Sequence, residues 1–237
     1  RECAPEMYHT LFGVAWDNPL MRAVITLEQA SIRFADAALT CTEQMRATFL
    51  ARGAQPDKLS VMLNAADPAW FRDPVLPDPT IQPNGRFRVV NHGTITKRYG
   101  HEVLLQAIAL AASQVPGLRL EIMGLGDRPD WLVEMIATLG LQEKVTIAGY
   151  LPAQELIRRL RQADCGVVSV VRNVDTDLVH TYKMCEYIAL GIPAIVTRTQ
   201  AVAAYYDDTC LAFVESGDPQ GLAQAIVALY RDPRRRH

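Results

Sequence analysis

The chain has 237 residues, 49% of them hydrophobic and 21% charged, a composition able to bury a sizeable core in one to two domains. Its 24 Lys and Arg against 26 Asp and Glu leave a net charge of −2; residues 1–74 carry 7 basic and 9 acidic groups and residues 75–237 carry 17 of each, so neither part has the basic bias of a nucleic-acid binder. No apolar run reaches the roughly 18 residues of a membrane-spanning helix, and five scattered cysteines without C-x-x-C spacing point away from a disulfide framework or zinc site and toward a reducing compartment.

The chain opens on Arg1 rather than Met and closes on Arg-Arg-Arg-His, so it is expected to be a piece of a longer protein whose N-terminal signals lie upstream. Residues 27–34 predict a helix, followed by an apolar run at 37–41. Thr42 is placed to cap a second helix over 43–51, with Gly53 just past its end. A strand is expected over 58–63, then a loop at Asn64-Ala65-Ala66-Asp67. The segment from Asp73 to Gly85 holds four prolines in thirteen residues, which predicts an extended linker and a domain boundary.

Beyond it the alternation is regular. Apolar runs at 87–91, 118–123, 145–148, 166–171, 194–197 and 211–214 predict strands. Between them Val103, Leu104, Ala107, Ile108, Leu110 and Ala111 recur at helical spacing, as do Trp131, Leu132, Met135 and Ile136 behind Pro129. Further helices are expected over 153–163, 182–190 and 222–230. Strands and helices alternating in this way imply right-handed crossovers onto a parallel sheet, a Rossmann-like doubly wound α/β domain with a partial second α/β domain before it. Ligands of such sheets bind beyond the carboxyl ends of the strands, so the loops that follow the strands are the ones to inspect.

Three segments could carry chemistry. The first is His92-Gly93-Thr94-Ile95-Thr96-Lys97-Arg98-Tyr99-Gly100, where Gly93 permits close backbone approach, the following helix start favours an anion, and Lys97 and Arg98 add positive charge. The second is Gly124-Leu125-Gly126-Asp127, which is short of a G-x-G-x-x-G fingerprint and also fits a structural turn in which Asp127 caps the next helix. The third runs from Lys183 to Pro193. There the Glu186 carboxylate suits adjacent ribose hydroxyls, and an i,i+3 ion pair with Lys183 is the structural alternative. Trp16, Trp70 and Trp131 fit packing, and His9 and His101 fit surface or helix-start positions. Arg158-Arg159-Leu160-Arg161 fits a solvated helix face, with attraction to an anionic membrane surface as the other reading.

The order of these features resembles one family. Ala35-Asp36, Thr42-Glu43, the turn at Asn64–Asp67 with Phe71 behind it, Gly93, Gly124 and Gly126, Gly149, Ala163-Asp164, and an E-x-x-A-x-G-x-P run at Glu186, Ala189, Gly191 and Pro193 follow one another collinearly over about residues 35–230. In this the chain is similar to the carboxyl-terminal domain of the retaining, nucleotide-sugar-dependent glycosyltransferases of GT-B fold, the glycosyl transferases group 1 family.

The resemblance implies a protein that moves a sugar from a UDP- or GDP-linked donor to a hydroxyl of a glycan or lipid-linked acceptor, retaining anomeric configuration. It implies no metal or other cofactor and no nucleic-acid partner. The implied location is cytoplasmic, with peripheral contact at the inner face of a membrane. Glu186 would take the nucleotide ribose, and Gly93 and Thr94 would approach the donor phosphates. Lys183 and the backbone near Met184 and Cys185 would face the diphosphate, and Tyr150 and Leu151 would lie beside the base. The common family loop G-R-x-x-x-x-K-G has Thr94 and Tyr99 at its cation positions here, so the catalytic cation is assigned to the adjacent Arg98. The first glutamate of the family's E-x7-E motif falls on Leu178, although Asp175, Asp177 and His180 sit nearby. On this reading residues 1–72, with a PE-x-Y segment at Pro5–Tyr8, are the end of an acceptor-side domain, 73–85 a linker, and 86–237 the donor domain without its last helix. The chain alone is expected to be inactive. The rival readings are a nucleotide-binding or regulatory module without catalysis, which Thr94, Tyr99 and Leu178 suggest, and a nucleotide-sugar epimerase of the same architecture. A dinucleotide-dependent oxidoreductase is disfavoured, because no G-x-G-x-x-G follows any strand.

Overall fold

The computed structural model describes residues 3–71, 85–126 and 130–236. The expected linker, except Gly85, and the turn residues Asp127 and Pro129 lie outside the described residues. In chain order the elements are α1 (Ala4–Phe12), α2 (Pro19–Phe34), β1 (Ala38–Thr40), α3 (Glu43–Ala51) and β2 (Leu59–Val61). There follow β3 (Phe87–His92), α4 (His101–Ala111), β4 (Leu118–Met123), α5 (Asp130–Thr138), β5 (Val145–Gly149), α6 (Ala153–Leu160) and β6 (Cys165–Val168). The chain then forms α7 (Tyr182–Ala189), β7 (Ala194–Thr197), α8 (Gln200–Ala203), β8 (Ala212–Val214) and α9 (Pro219–Arg231).

These elements form two compact units. One comprises the chain up to Asn64 together with Arg172–Thr181 and Thr199–Tyr206; the other comprises Ala65–Val171, Tyr182–Arg198 and the chain from Asp207. In the first unit β1 and β2 pair in parallel. Thr42 caps α3 as its spacing predicts, its hydroxyl oxygen accepting from the Met45 N–H at 3.1 Å. Asn18 likewise caps α2, with Pro19 in the first turn. Three helices are tied by one cation: Arg52, just past α3, pairs with Glu6 of α1 and, at 3.1 Å, with Glu28 of α2. Cys3, Cys41 and Met45 pack together, with Leu178 against them.

The second unit is built on a six-stranded parallel sheet in the order β5-β4-β3-β6-β7-β8. β3 and β4 run in register over six residue pairs, from Phe87 opposite Leu118 to His92 opposite Met123. One face buries Phe87, Val89, Leu118, Leu120 and Ile122 against Leu104, Leu105 and Ile108 of α4 and Leu222 and Ile226 of α9. A parallel sheet is covered on both faces, which is why its strands appear in sequence as nearly continuous apolar runs. The apolar run after Gly166 leaves the sheet early: β6 stops at Val168 rather than Val171. Its continuation braces a neighbouring turn instead. The Ser169 hydroxyl donates to the carbonyl of Gly100 at 3.1 Å, and the Val171 N–H donates to the carbonyl of Arg98 at 2.9 Å. All five cysteines carry free thiols, and only Cys210 is exposed.

Candidate functional site

The chain lays β3, β4 and β5 side by side, then returns to place β6 on the other edge of β3. The crevice beyond the carboxyl ends of β3 and β6 is therefore the switch point at which open α/β sheets bind ligands. Backbone bonds stitch its rim together. The Gly93 N–H donates to Met123 O at 2.8 Å, Gly124 N–H to Gly149 O at 2.8 Å, and Ile95 N–H to Leu125 O at 2.8 Å.

After Gly93 the chain makes a short turn over Lys97–Tyr99 and enters α4 through Gly100, which has φ +68°. A Cβ at Gly100 would overlap the Ser169 carbonyl, so the turn is pressed against the end of β6. The first turn of α4 has no side-chain cap, which leaves its N–H groups open at the crevice.

From the other side, α7 contributes Lys183 and Glu186, one turn apart. They do not form the i,i+3 ion pair, because each meets a different partner. The Lys183 chain passes Gly93 so closely that a Cβ there would lie 2.7 Å from Lys183 Cε, and Gly93 holds φ +101°, a backbone conformation that favours glycine. The Lys183 ammonium then sits 4.5 Å from the centre of the Tyr99 ring. The Arg98 guanidinium lies 5.0 Å from the same ring centre and donates to the Tyr99 hydroxyl at 3.3 Å. Two cations thus share one aromatic side chain. Loss of water pulls the Lys183 ammonium down to about 8, against the opposing pull of the Glu186 carboxylate. His101, buried at the start of α4, is lowered to about 4 by burial and by the Lys183 charge; its Nδ1–H donates to the Thr96 carbonyl at 3.1 Å.

The Glu186 carboxylate is held by the His92 ring. His92 Nε2–H donates to Glu186 Oε2, and His92 Nδ1 lies 3.0 Å from the Tyr187 hydroxyl oxygen. That hydroxyl also reaches the Val90 carbonyl at 3.3 Å, and the Tyr187 ring stands edge-on to the imidazole with centroids 5.0 Å apart. Burial raises the Tyr187 phenol well above its usual range.

The structure therefore brings Gly93, Arg98, Lys183 and Glu186 into one neighbourhood, with Thr94 exposed on the same loop. Met184 and Cys185 turn their side chains into the core, and burial raises the Cys185 thiol to about 11, so only their backbone is available to a ligand. Tyr150 is 72% exposed just past β5, two strands and so ~10 Å from Gly93 across the sheet. Leu151 beside it is half-buried. Leu178, Asp175, Asp177 and His180 belong to the first unit, where Asp177 pairs with Arg172 at 2.9 Å. On α6, Arg158 and Arg159 pair with Glu155, and Arg159 also with Glu121 at 2.5 Å. The spacing of motifs assigns no role to His92 or Tyr187, and marks Tyr99 only as the residue at a cation position of the family loop. One signal for His92 is its position, closing the strand directly before the loop glycine Gly93. Among the described residues no group of three or more His, Cys, Asp or Glu side chains is disposed to hold a metal ion, and no helix is long and apolar enough to cross a membrane.

Residues 86–232 match the family described as glycosyl transferases group 1. The chain belongs to that family. Relatives in the group 1 family's neighbourhood include the amylovoran biosynthesis glycosyltransferase AmsK of Erwinia amylovora, 24% identical over 181 residues, covering 76% of this chain and 43% of AmsK. Another is the GDP-mannose-dependent alpha-(1-6)-phosphatidylinositol monomannoside mannosyltransferase of Mycolicibacterium smegmatis, 27% identical over 187 residues, 74% of this chain and 49% of that protein. The chain thus spans about half the length of the curated relatives it matches. Among solved structures, Anabaena Alr3699/HepE in complex with UDP and glucose superposes with a TM-score of 0.74 at 16% identity, over 90% of this chain and 59% of HepE. The sucrose-phosphate synthase of Thermosynechococcus elongatus does so with a TM-score of 0.71 at 19% identity, over 90% of this chain and 54% of that one. At these identities the likeness establishes the fold, the Rossmann-like α/β fold of the GT-B glycosyltransferases.

Proposed function

We propose that this chain provides the donor site of a glycosyltransferase that moves a sugar from a nucleoside diphosphate sugar to an acceptor hydroxyl with retention of configuration. The observation that carries the reading is the meeting of Arg98, Lys183 and the Glu186 carboxylate around Gly93 at the sheet's switch point. Breaking the glycosidic bond builds negative charge on the departing diphosphate while the sugar becomes oxocarbenium-like. A rim of backbone N–H groups with two cations beside it is suited to receive that charge as it develops. Lys183 and Arg98 take the diphosphate, the open start of α4 and the backbone at Met184 and Cys185 add donors, and Glu186 accepts from the pentose hydroxyls. Tyr150 and Leu151 border the base. In this scheme the protein's own cations do what a divalent metal does elsewhere, and no further cofactor takes part.

Family relatives named for GDP-mannose and neighbours solved with UDP and UDP-glucose support a UDP- or GDP-linked donor. The names of the bacterial relatives support a glycan or lipid-linked acceptor; the reading places the reaction in the cytoplasm, at the inner face of a membrane. Residues up to 72 then belong to the acceptor side and 86–237 to the donor side. Calorimetry with UDP and GDP tests the site: one of them binds, and Glu186→Ala weakens it. Wild-type affinity in that variant removes Glu186 from the site. Incubating the full-length protein with UDP- and GDP-sugars in the presence of acceptor tests the reaction. Released nucleotide with a lengthened acceptor supports transfer. An altered sugar with no nucleotide released identifies an epimerase, and binding without either identifies a catalytically silent module.

A further inference from the structure

We infer that His92 is a positioning residue for the donor, one that fixes the Glu186 carboxylate in the orientation a pentose requires. This inference rests on the proposed role of Glu186. A glutamate side chain has three torsions, and at the mouth of a crevice a single orientation must be imposed on it by its neighbours. Here the imposition is built from the sheet outward. Gly166 of β6 has no side chain, so the Tyr187 ring lies against the strand; a Cβ at 166 would meet ring carbons at 2.5–2.6 Å. The ring is fully buried, and its hydroxyl is anchored on the Val90 carbonyl of β3 at 3.3 Å. That hydroxyl oxygen stands 3.0 Å from His92 Nδ1, and on the other side of the ring Nε2–H donates to Glu186 Oε2.

His92 is itself 4% exposed and is the last residue of β3, an interior strand of the sheet, where it pairs with Met123 of β4. Glu186 keeps 20% of its side chain exposed. One carboxylate oxygen is therefore tied to the floor of the fold, while part of the side chain stays open to solvent. The same tie holds the carboxylate off Lys183, three residues earlier on α7, and so leaves that ammonium to the anion. A histidine in this role touches no substrate. It converts a mobile acceptor into a preorganised one, which lowers the ordering cost of binding.

Two variants that keep the side-chain volume separate the hydrogen bond from simple packing. His92→Gln retains an N–H for the carboxylate and His92→Leu does not. With UDP and GDP as titrants, His92→Leu is expected to weaken the bound nucleotide about tenfold, the scale of losing a hydrogen bond to a charged group. His92→Gln is expected to recover most of that loss, and inorganic pyrophosphate, which has no pentose, is expected to bind wild type and His92→Leu within about twofold of each other. In an Glu186→Ala background His92→Leu should add nothing, since the two residues act as one unit. Tyr187→Phe, which releases the far end of His92, should give a smaller loss in the same direction and serves if His92→Leu does not fold. The inference is overturned if Glu186→Ala weakens the nucleotide while His92→Leu and Tyr187→Phe leave it unchanged. It is equally overturned if His92→Leu weakens pyrophosphate as much as nucleotide, or acts as strongly without Glu186. Should Glu186→Ala itself change nothing, the role of Glu186 fails first and this inference goes with it.

Discussion

Replacing Lys183 by methionine should make the protein more stable and a poorer nucleotide binder at once. Desolvation brings the ammonium from an ordinary 10.5 down to about 8, which withholds at most about 3 kcal/mol from its charged form. Between about pH 8 and 10.5 the unfolded chain holds more protons on this group than the folded one, so stability rises with pH across that window. At pH 7 the lysine is charged in both states and carries its full cost. Methionine removes the charge and keeps the apolar stem, so Lys183→Met should raise the melting temperature at pH 7 by several degrees, at about 2–4 °C per kcal/mol for a chain of this size.

Binding should show the complementary effect. A diphosphate beside the ammonium restores its preference for the charged form, so the nucleotide selects the protonated lysine. With the free group near 8, about nine-tenths of it is protonated at pH 7 and about one-tenth at pH 9, and the affinity should fall roughly tenfold between them. Neighbouring groups do not obscure this interval: His101 titrates near 4 and Cys185 near 11, and a terminal phosphate has ionised by about pH 6. Calorimetry at pH 7, 8 and 9 in buffers of different ionisation enthalpy measures both the affinity and the protons taken up. The reasoning fails if the wild-type affinity is flat across this range, or if Lys183→Met keeps the slope.

Gly93→Ala forces a side chain onto φ +101° and into Lys183 Cε at 2.7 Å; it should cost ~1–3 kcal/mol in urea unfolding and about tenfold in nucleotide affinity by calorimetry. Arg98→Ala in the full-length protein should lower kcat by ~10²–10³ while changing the donor Kd far less, as for other donors aimed at developing charge; steady-state kinetics showing unchanged turnover would count against the assignment. In the first unit, Arg52→Met strands Glu6 and Glu28 beside each other without their shared cation and should destabilise by about 3–5 kcal/mol, read from the urea midpoint.

Local patterns carried the architecture well where the physics is local. Thr42 caps the helix it precedes, and the apolar runs at 118–123 and 194–197 are β4 and β7 to the residue. The departures are places where distant contacts decide. The run from Gly166 to Val171 is apolar but for Ser169, yet its last residues brace the Arg98–Gly100 turn, through the Ser169 hydroxyl and the Val171 N–H, instead of extending the strand. α1 lacks a capping side chain and owes its place to Glu6 meeting Arg52, forty-six positions later in the chain. α2 starts at Pro19, eight residues before the periodic stretch at 27–34, although Asn18-Pro19 is itself a start signal.

The site divides in the same way. Gly93 and Glu186 could be singled out by spacing, since a glycine loop after a strand and an acid early on a helix are local features. Their partners could not. Lys183 and Glu186 three apart invite an ion pair on any helical wheel, and only the sheet order brings Tyr99 to one and His92 to the other, ninety-four positions from Glu186.

The contact between Gly166 and Tyr187 has a consequence for how such a protein can change over generations. Any side chain at 166 would drive the phenol toward β3, tilt the imidazole above it and swing a carboxylate that lies well away from the altered residue. Positions 166 and 187 can therefore drift only as a matched pair, whereas the exposed residues Thr94 and Tyr150 can vary without disturbing the floor.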